Sequence, residues 1–289
     1  MQPRSFRVFD LSTVLLLLIL ALGVWLYGGA PEAAKERRSS VVRGIDNFLG
    51  GMSVGQLVAQ YGGIDEDPEV NERVTQIFER LVPVAKAERP DLEYSIAVLN
   101  SEIPNAFALP GGRTFITRGL VQLLDDDDEI AGVLGHELVH TVKSHGTIAF
   151  GRDIGLILAT DYMLDHVEQD RRAEAAEIAR LGQALISTGY SRAAESEADK
   201  YGLHYAIAAG YHPLGLVRAL EKIEAWQRQQ REPGAREIPV YFRTHPLTDD
   251  RVRALRAEAR ALGYDVYVPG DDVDEALRRL YQQEQDGGQ

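Results

Sequence analysis

The chain carries GHELVH at residues 135–140, inside the apolar run IAGVLGHELVHTVKSHG (130–146). On a helix, positions i and i+4 share a face, so His136 and His140 can direct ring nitrogens at one ion. Glu137 is turned about 100° round the helix from its neighbour, too far to ligate easily yet able to reach a water held by that ion. A core helix whose two histidines are satisfied by ordinary hydrogen bonds would carry the same letters, so a metal centre needs a third ligand from elsewhere. The segment YSRAAESEADKYG (190–202) is the best source. Glu195 and Asp199 are again i and i+4. Glu195 would ligate, and Asp199 would accept a hydrogen bond from the second ring nitrogen of a ligating histidine, fixing its tautomer. Glu197 points elsewhere. His145, five residues past His140, faces about 140° away on a continuous helix and reads as a hydrogen-bonded helix-end residue.

The elements that position these groups follow from the flanking pattern. Residues 68–88 place Val70, Val74, Ile77, Phe78 and Leu81 at helical spacing. Three strand-like runs follow, YSIAVLN (94–100), NAFALP (105–110) and RTFITRGLV (113–121), with Gly111-Gly112 as a hairpin signal between the last two. The acidic run 125–129 suits a helix N-terminus through capping and the macrodipole. It lacks the spaced acids and central glycine of a calcium loop. Residues 147–189 read as helical, and their apolar stretch 154–164 is too short to span a bilayer. Two further helices, 192–209 and 213–231, are separated by AGYHP (209–213), whose His212-Pro213 reads as structural. After THPLTDDRV (244–252) come a short helix, a strand-like YDVYV (264–268) and a final helix. The spacing therefore predicts an α+β, mostly helical fold with a small sheet preceding the histidine helix, and no internal repeat.

With 289 residues, 45% of them apolar, the chain can build one sizeable domain with attachments. A net charge of −13 argues against nucleic acid as a partner. The absence of cysteine excludes disulfides, thiolate zinc sites and lipid attachment through cysteine. Residues 11–30 carry no charge, come after Arg4 and Arg7, and have Trp25 and Tyr27 near their far end. That is the length and flanking of a transmembrane helix. A cleaved signal peptide is the other reading, although cleavage after Ala30 would leave Pro31 first. Lys35, Arg37, Arg38 and Arg43 outnumber the two N-terminal arginines, and this count disfavours export of the chain beyond residue 30.

GHELVH and, further along, SRAAESEAD together resemble the HtpX-like and CAAX-prenyl-protease-like zinc metallopeptidases, metallopeptidase family forty-eight. NAFALPGGRTFITRGL (105–120) and HPLTDDRV (245–252) resemble that family's strand-hairpin element and its later HP-containing segment. Four elements in the right order cover roughly residues 50–255. The resemblance implies a zincin-like domain holding one zinc ion per chain on His136, His140 and Glu195, with Glu137 as catalytic base. Asp199 becomes an acid that orients a ligand or handles protons. It further implies an endopeptidase of protein quality control, cutting unfolded or misassembled polypeptides and linked to a membrane or exported. That sets the charge count aside and expects an extracytoplasmic domain, either on a single membrane anchor or soluble after cleavage. Multiple spans within the domain and tandem helical repeats are absent, so the likeness is to the compact single-anchor branch. The implied organisation is an anchor or signal (1–30), a linker (31–50), a metallopeptidase domain (51–260) and a C-terminal strand, helix and polar tail (261–289).

The chemistry implied is metal-assisted hydrolysis, in which zinc lowers the pKa of a water toward ~7 and polarises the scissile carbonyl, while Glu137 moves the proton. The edge around Asn105–Ala108 can hold an extended peptide by β-addition or be a hairpin packed in the core. His245 has three readings: an oxyanion donor, a latch filling the open zinc position, or an ordinary loop histidine. Two other functional classes remain: a non-proteolytic, chaperone-like binder, against which an intact Glu137 argues, and a scaffold stabilised by a closed four-ligand zinc site.

Overall fold

In the computed structural model, the residues described are 54, 55, 57–149, 189–229, 245 and 249–264. The uncharged segment 11–30, the helical reading of 150–188, most of YDVYV and the final helix lie outside them. Among the described residues no helix is long and apolar enough to cross a membrane.

Helix α1 (Pro68–Glu88) begins where the Asp67 carboxylate accepts from the Glu69 and Val70 amides, with proline at the first turn, where its missing N–H costs nothing. It buries Val74, Ile77, Phe78, Leu81 and Ala85, close to the stripe that the spacing predicts, with Val70 only partly covered. Strands β1 (Ser95–Leu99), β2 (Ala106–Leu109) and β3 (Arg113–Thr117) form one sheet in the order β1-β3-β2. β1 runs parallel to β3, and β2 antiparallel to it through a turn in which Gly111 and Gly112 take φ of 89° and 99°. The third strand is shorter than the run 113–121. Its last residue, Thr117, turns its hydroxyl to accept from the Leu120 amide, which starts helix α2 (Arg118–Leu123).

Both faces of this sheet are covered, so its strands do not alternate apolar with polar. Val98, Ala106 and Ile116 join the main core, while Leu99, Phe107, Leu109 and Phe115 pack with Leu57 in a second cluster. All four β2 side chains are buried, which is the packed-hairpin arrangement. The backbone of β2 is a separate matter. The Asn105 carbonyl accepts from the Thr117 amide at 2.9 Å. The alternation of an antiparallel ladder then turns the Ala106 and Ala108 peptide groups away from β3, and no described strand lies beyond β2.

Helix α3 (Asp127–Val142) carries the HExxH residues and is buried from Glu129 to Val142. The acidic run caps it: Asp126 accepts from the Glu129 amide, and Glu129 accepts in return from the Asp125 amide. The remaining acids are taken by protein partners, Asp127 by Arg73 and Asp128 by the His212 amide. From helix α5 (Leu214–Gln229), Arg218 and Lys222 each reach the buried Glu129 at 2.6 Å.

Helix α4 (Arg192–Ala208), capped by Ser191, crosses α3 with backbone against backbone. A Cβ on Gly135 would stand 2.8 Å from the Gly202 carbonyl oxygen, and one on Gly202 would stand 2.7 Å from the His136 nitrogen. Helix α6 (Asp249–Ala261) packs on α4 and α5. We therefore expect Gly202→Ala to destabilise the domain by at least about 1–3 kcal/mol, the usual cost of overpacking, in urea unfolding. Gly55→Ala, whose Cβ would meet nothing within 4 Å, is the control and should stay within about 0.5 kcal/mol of the parent.

Candidate metal centre

The α3–α4 crossing determines what faces what. Directly after Gly135 and one turn further on, His136 and His140 present Nε2 atoms 3.0 Å apart. Glu195, on the first turn of α4, lies with Oε1 3.4 Å from His140 Nε2 and Oε2 3.8 Å from His136 Nε2. His245 joins them from a distant part of the chain, its Nδ1 3.0 Å from Glu195 Oε1 and 3.3 Å from His136 Nε2. One donor atom from each of these four buried residues lies within 4.8 Å of the other three. Three imidazoles and a carboxylate converging so closely, nearly dry, are a nitrogen and oxygen donor set that suits a tetrahedral divalent cation such as zinc.

Around this cluster stand the other residues singled out in the sequence. Asp199 Oδ1 is 3.1 Å from His136 Nδ1, the ring nitrogen facing away from the cluster. Glu137 is fully buried, and among the described residues neither carboxylate oxygen has a hydrogen-bond partner; His245 Nε2 lies 3.5 Å from Oε1. All six candidate positions thus meet in one place. His212 does not. It accepts from the Leu214 amide at 3.2 Å and packs edge-on to Tyr264, a helix-break residue as its proline context predicts.

Residues 68–259 match Peptidase family M48. The chain belongs to that family. Among curated proteins it is 29% identical over 188 residues to "Mitochondrial metalloendopeptidase OMA1" of Schizosaccharomyces pombe, covering 63% of this chain and 51% of that protein. It is 23% identical over 250 residues to "Beta-barrel assembly-enhancing protease" of Escherichia coli, covering 84% and 49%. With "Metalloprotease YcaL" of Escherichia coli it shares 25% identity over 198 residues, 67% and 74% of the two chains. The chain spans about half the length of the first two relatives. Zinc is the metal of the M48 metalloproteases, and the four-residue cluster is compatible with it.

Three further residues border the M48 site without a sequence signal that places them there. Arg251, on α6, lies in HPLTDDRV, where nothing in the local pattern marks it as part of a site. It donates from Nε and one terminal nitrogen to both oxygens of Asp199 at 2.7 Å each, and its other terminal nitrogen is 2.6 Å from Glu195 Oε2. Tyr190 stacks on the His140 ring, centroids 3.8 Å apart, and stands 5.0 Å from His245. His145 Nδ1 lies 3.0 Å from His140 Nδ1, and its Nε2 lies 3.3 Å from Glu197. It is hydrogen-bonded, as its spacing predicts, but on the site side. The reason is that α3 ends at Val142, and Ser144 takes a φ of 54°, so the 140° offset of a continuous helix does not apply.

The charges are arranged consistently. Burial is the largest influence on Glu195 and would raise its pKa, but His245, His140 and Arg251 together hold it well below the ordinary carboxylate range. Burial also opposes ionisation of Asp199, and Arg251 and His136 outweigh it. For His140 burial wins, keeping the ring neutral as a ligand must be. In His245 burial is outweighed by the Glu195 and Glu137 carboxylates, and the pKa rises.

Folded-state carboxylate values that are depressed stabilise the protein above the unfolded carboxylate pKa near 4, and this contribution is lost as pH falls through the depressed values. Removing Arg251 moves that loss to higher pH. We expect metal-free Arg251→Gln to unfold at a less acidic pH than the metal-free parent in an acid titration monitored by circular dichroism. Its stability at neutral pH should also drop by about 3–5 kcal/mol, the cost of breaking a buried pair.

Proposed function

We propose that this M48 chain is a membrane-anchored, zinc-dependent endopeptidase that hydrolyses peptide bonds of unfolded or misassembled proteins. The observation that carries the reading is Glu137, a fully buried carboxylate with no hydrogen-bond partner among the described residues, beside four convergent candidate metal donors. Burying such a group costs free energy, and a structural role would have satisfied it. A general base has to keep its lone pairs open for a proton. In this reading His136, His140 and Glu195 hold the ion, and Asp199 keeps the His136 proton on Nδ1 so that Nε2 faces the metal. When bound, zinc supplies Lewis acidity toward the scissile carbonyl and the attacking water. Glu137 takes the water's proton and returns it to the leaving amine. The outward peptide groups of Ala106 and Ala108 offer backbone hydrogen bonds to an extended chain, which gives affinity with little sequence preference.

His245 supports a second state of the same site. Its position among the ligand atoms suits a fourth donor that keeps the enzyme latent, and displaced from there it can donate to the oxyanion. A closed four-ligand set would also suit a structural zinc, but that role leaves Glu137 unexplained. Residues 11–30 would be the anchor, 31–50 the linker, 51–260 the peptidase domain and 261–289 a C-terminal appendage, with the peptidase on the extracytoplasmic side. The relatives' names, a beta-barrel assembly-enhancing protease among them, support a role in protein quality control.

At matched zinc content, Glu137→Gln should cut an unfolded protein about 10²–10⁴-fold more slowly than the parent, the usual share of a general base. Equal, measurable rates would end the peptidase reading. His245→Ala should retain zinc and change turnover, upward if the side chain is a latch and downward if it is an oxyanion donor. Unchanged turnover at full zinc occupancy would put His245 outside the mechanism. Deleting residues 1–30 should release the protein from the membrane fraction, and retention would remove the anchor assignment.

A further inference from the structure

Both candidate ligand histidines on α3 have an outward ring nitrogen, and the two are treated differently. His136 Nδ1 meets a carboxylate, Asp199. His140 Nδ1 meets another imidazole, His145 Nδ1, at 3.0 Å. His145 is 7% exposed, and its far nitrogen lies 3.3 Å from Glu197 Oε2, on a side chain 41% exposed. His140 Nε2 belongs to the donor cluster, so its proton sits on Nδ1 and is donated to His145. His145 Nδ1 is then the acceptor, which puts its own proton on Nε2, where Glu197 accepts it. One proton on each ring and one acceptor at the end satisfy the whole chain, with no nitrogen left over.

The backbone is shaped to allow this. His145 reaches His140 only because the chain leaves α3 after Val142 through Ser144 in the left-handed region, an uncommon conformation for a residue other than glycine. Arg89 secures that turn from the end of α1, donating at 3.1 Å to the Val142 carbonyl and at 3.1 Å to the Ser144 hydroxyl. Gly146 comes directly after, with Pro110 and the Tyr190 hydroxyl nearest to where a Cβ would stand. Tyr190 covers the His140 ring from the side, so rotation of that ring is limited by stacking on one side and a hydrogen bond at its edge.

We infer that His145, held by Glu197, is a positioning residue that fixes the tautomer and orientation of His140 and thereby the zinc affinity of the site. This rests on the reading of His140 as a ligand. It assigns a task to Glu197, the middle acid of ESEAD, which the ligand set leaves unused.

The test uses the full zinc-loaded chain and measures zinc affinity by competition with a chromophoric chelator, alongside the ¹⁵N shifts of the His140 ring. His145→Phe keeps bulk and removes the acceptor, and should weaken zinc binding about 10–100-fold, the usual effect of losing such a partner. His145→Asn, whose side-chain oxygen can stand near the position of Nδ1, should recover most of that loss, and Glu197→Ala should weaken binding less than His145→Phe. In the parent the ¹⁵N shifts should report a proton on His140 Nδ1, and this signature should be lost or broadened in His145→Phe. Parent-level zinc affinity with the parent spectrum in His145→Phe would overturn the inference, as would an Asn variant as weak as Phe. If His145→Phe does not fold, Glu197→Ala decides, because its partly exposed side chain carries little packing: weakened zinc binding supports the inference and unchanged binding overturns it. Failure of the parent to bind zinc, or undiminished binding by His140→Ala, would instead mark failure of the underlying ligand reading.

Discussion

Two helix backbones touch at Gly135 and Gly202, and the arrangement of the centre depends on that contact. Helices usually pack 8–10 Å apart, held off by their side chains. Here there is no side chain at the point of crossing, and a single Cβ on either glycine would meet the other backbone at under 3 Å. The close approach lets the short carboxylates of Glu195 and Asp199 reach imidazoles on the neighbouring helix. His136, next to Gly135, is gripped from both sides, by the α4 backbone near its nitrogen and by Asp199 at its ring. The same principle recurs at the other end of α3, where Gly132 lies against the Leu216 backbone and Gly215 against the Asp128 carbonyl.

Closeness of that kind creates an electrostatic problem. Three carboxylates, Glu137, Glu195 and Asp199, are buried within one small volume, and like charges in a poorly solvated space repel one another. Arg251 resolves two of them, donating to both oxygens of Asp199 and lying against Glu195. Planar donors in a fixed fork suit that task better than a lysine ammonium would. Glu137 is left outside the arrangement. Among the described residues its oxygens accept no hydrogen bond, and His245 Nε2 lies 3.5 Å from Oε1. The far end of α3 makes the contrast: buried Glu129 is paired with both Arg218 and Lys222.

Much of this was legible beforehand, because helical period ties residues within one element to known angles. His136 with His140 and Glu195 with Asp199 are i, i+4 pairs, and their shared faces are fixed without any tertiary information. The α1 stripe, the cap role of residues 125–129 and the Gly111-Gly112 turn are local in the same sense. Expectations ran short wherever an element stopped. Thr117 ended a strand that the apolar pattern would have continued to residue 121, because its hydroxyl found the Leu120 amide. Ser144 ended the angular bookkeeping of α3, and so a histidine expected to face away came back to the site.

By itself, then, the sequence determined which residues could act as pairs, that the chain carried the four segments of a metallopeptidase family in order, and that an uncharged stretch of membrane-spanning length precedes them. Only the tertiary structure decided how the pairs meet. It brought His245 among the candidate donor atoms, drew Arg251 onto Asp199 from 52 positions away, and set Asp199 against His136 but Glu197 against His145. The physical reason is that backbone geometry propagates along a helix but not across a gap between helices. There the relation depends on packing, here on two glycines that let one backbone rest against another.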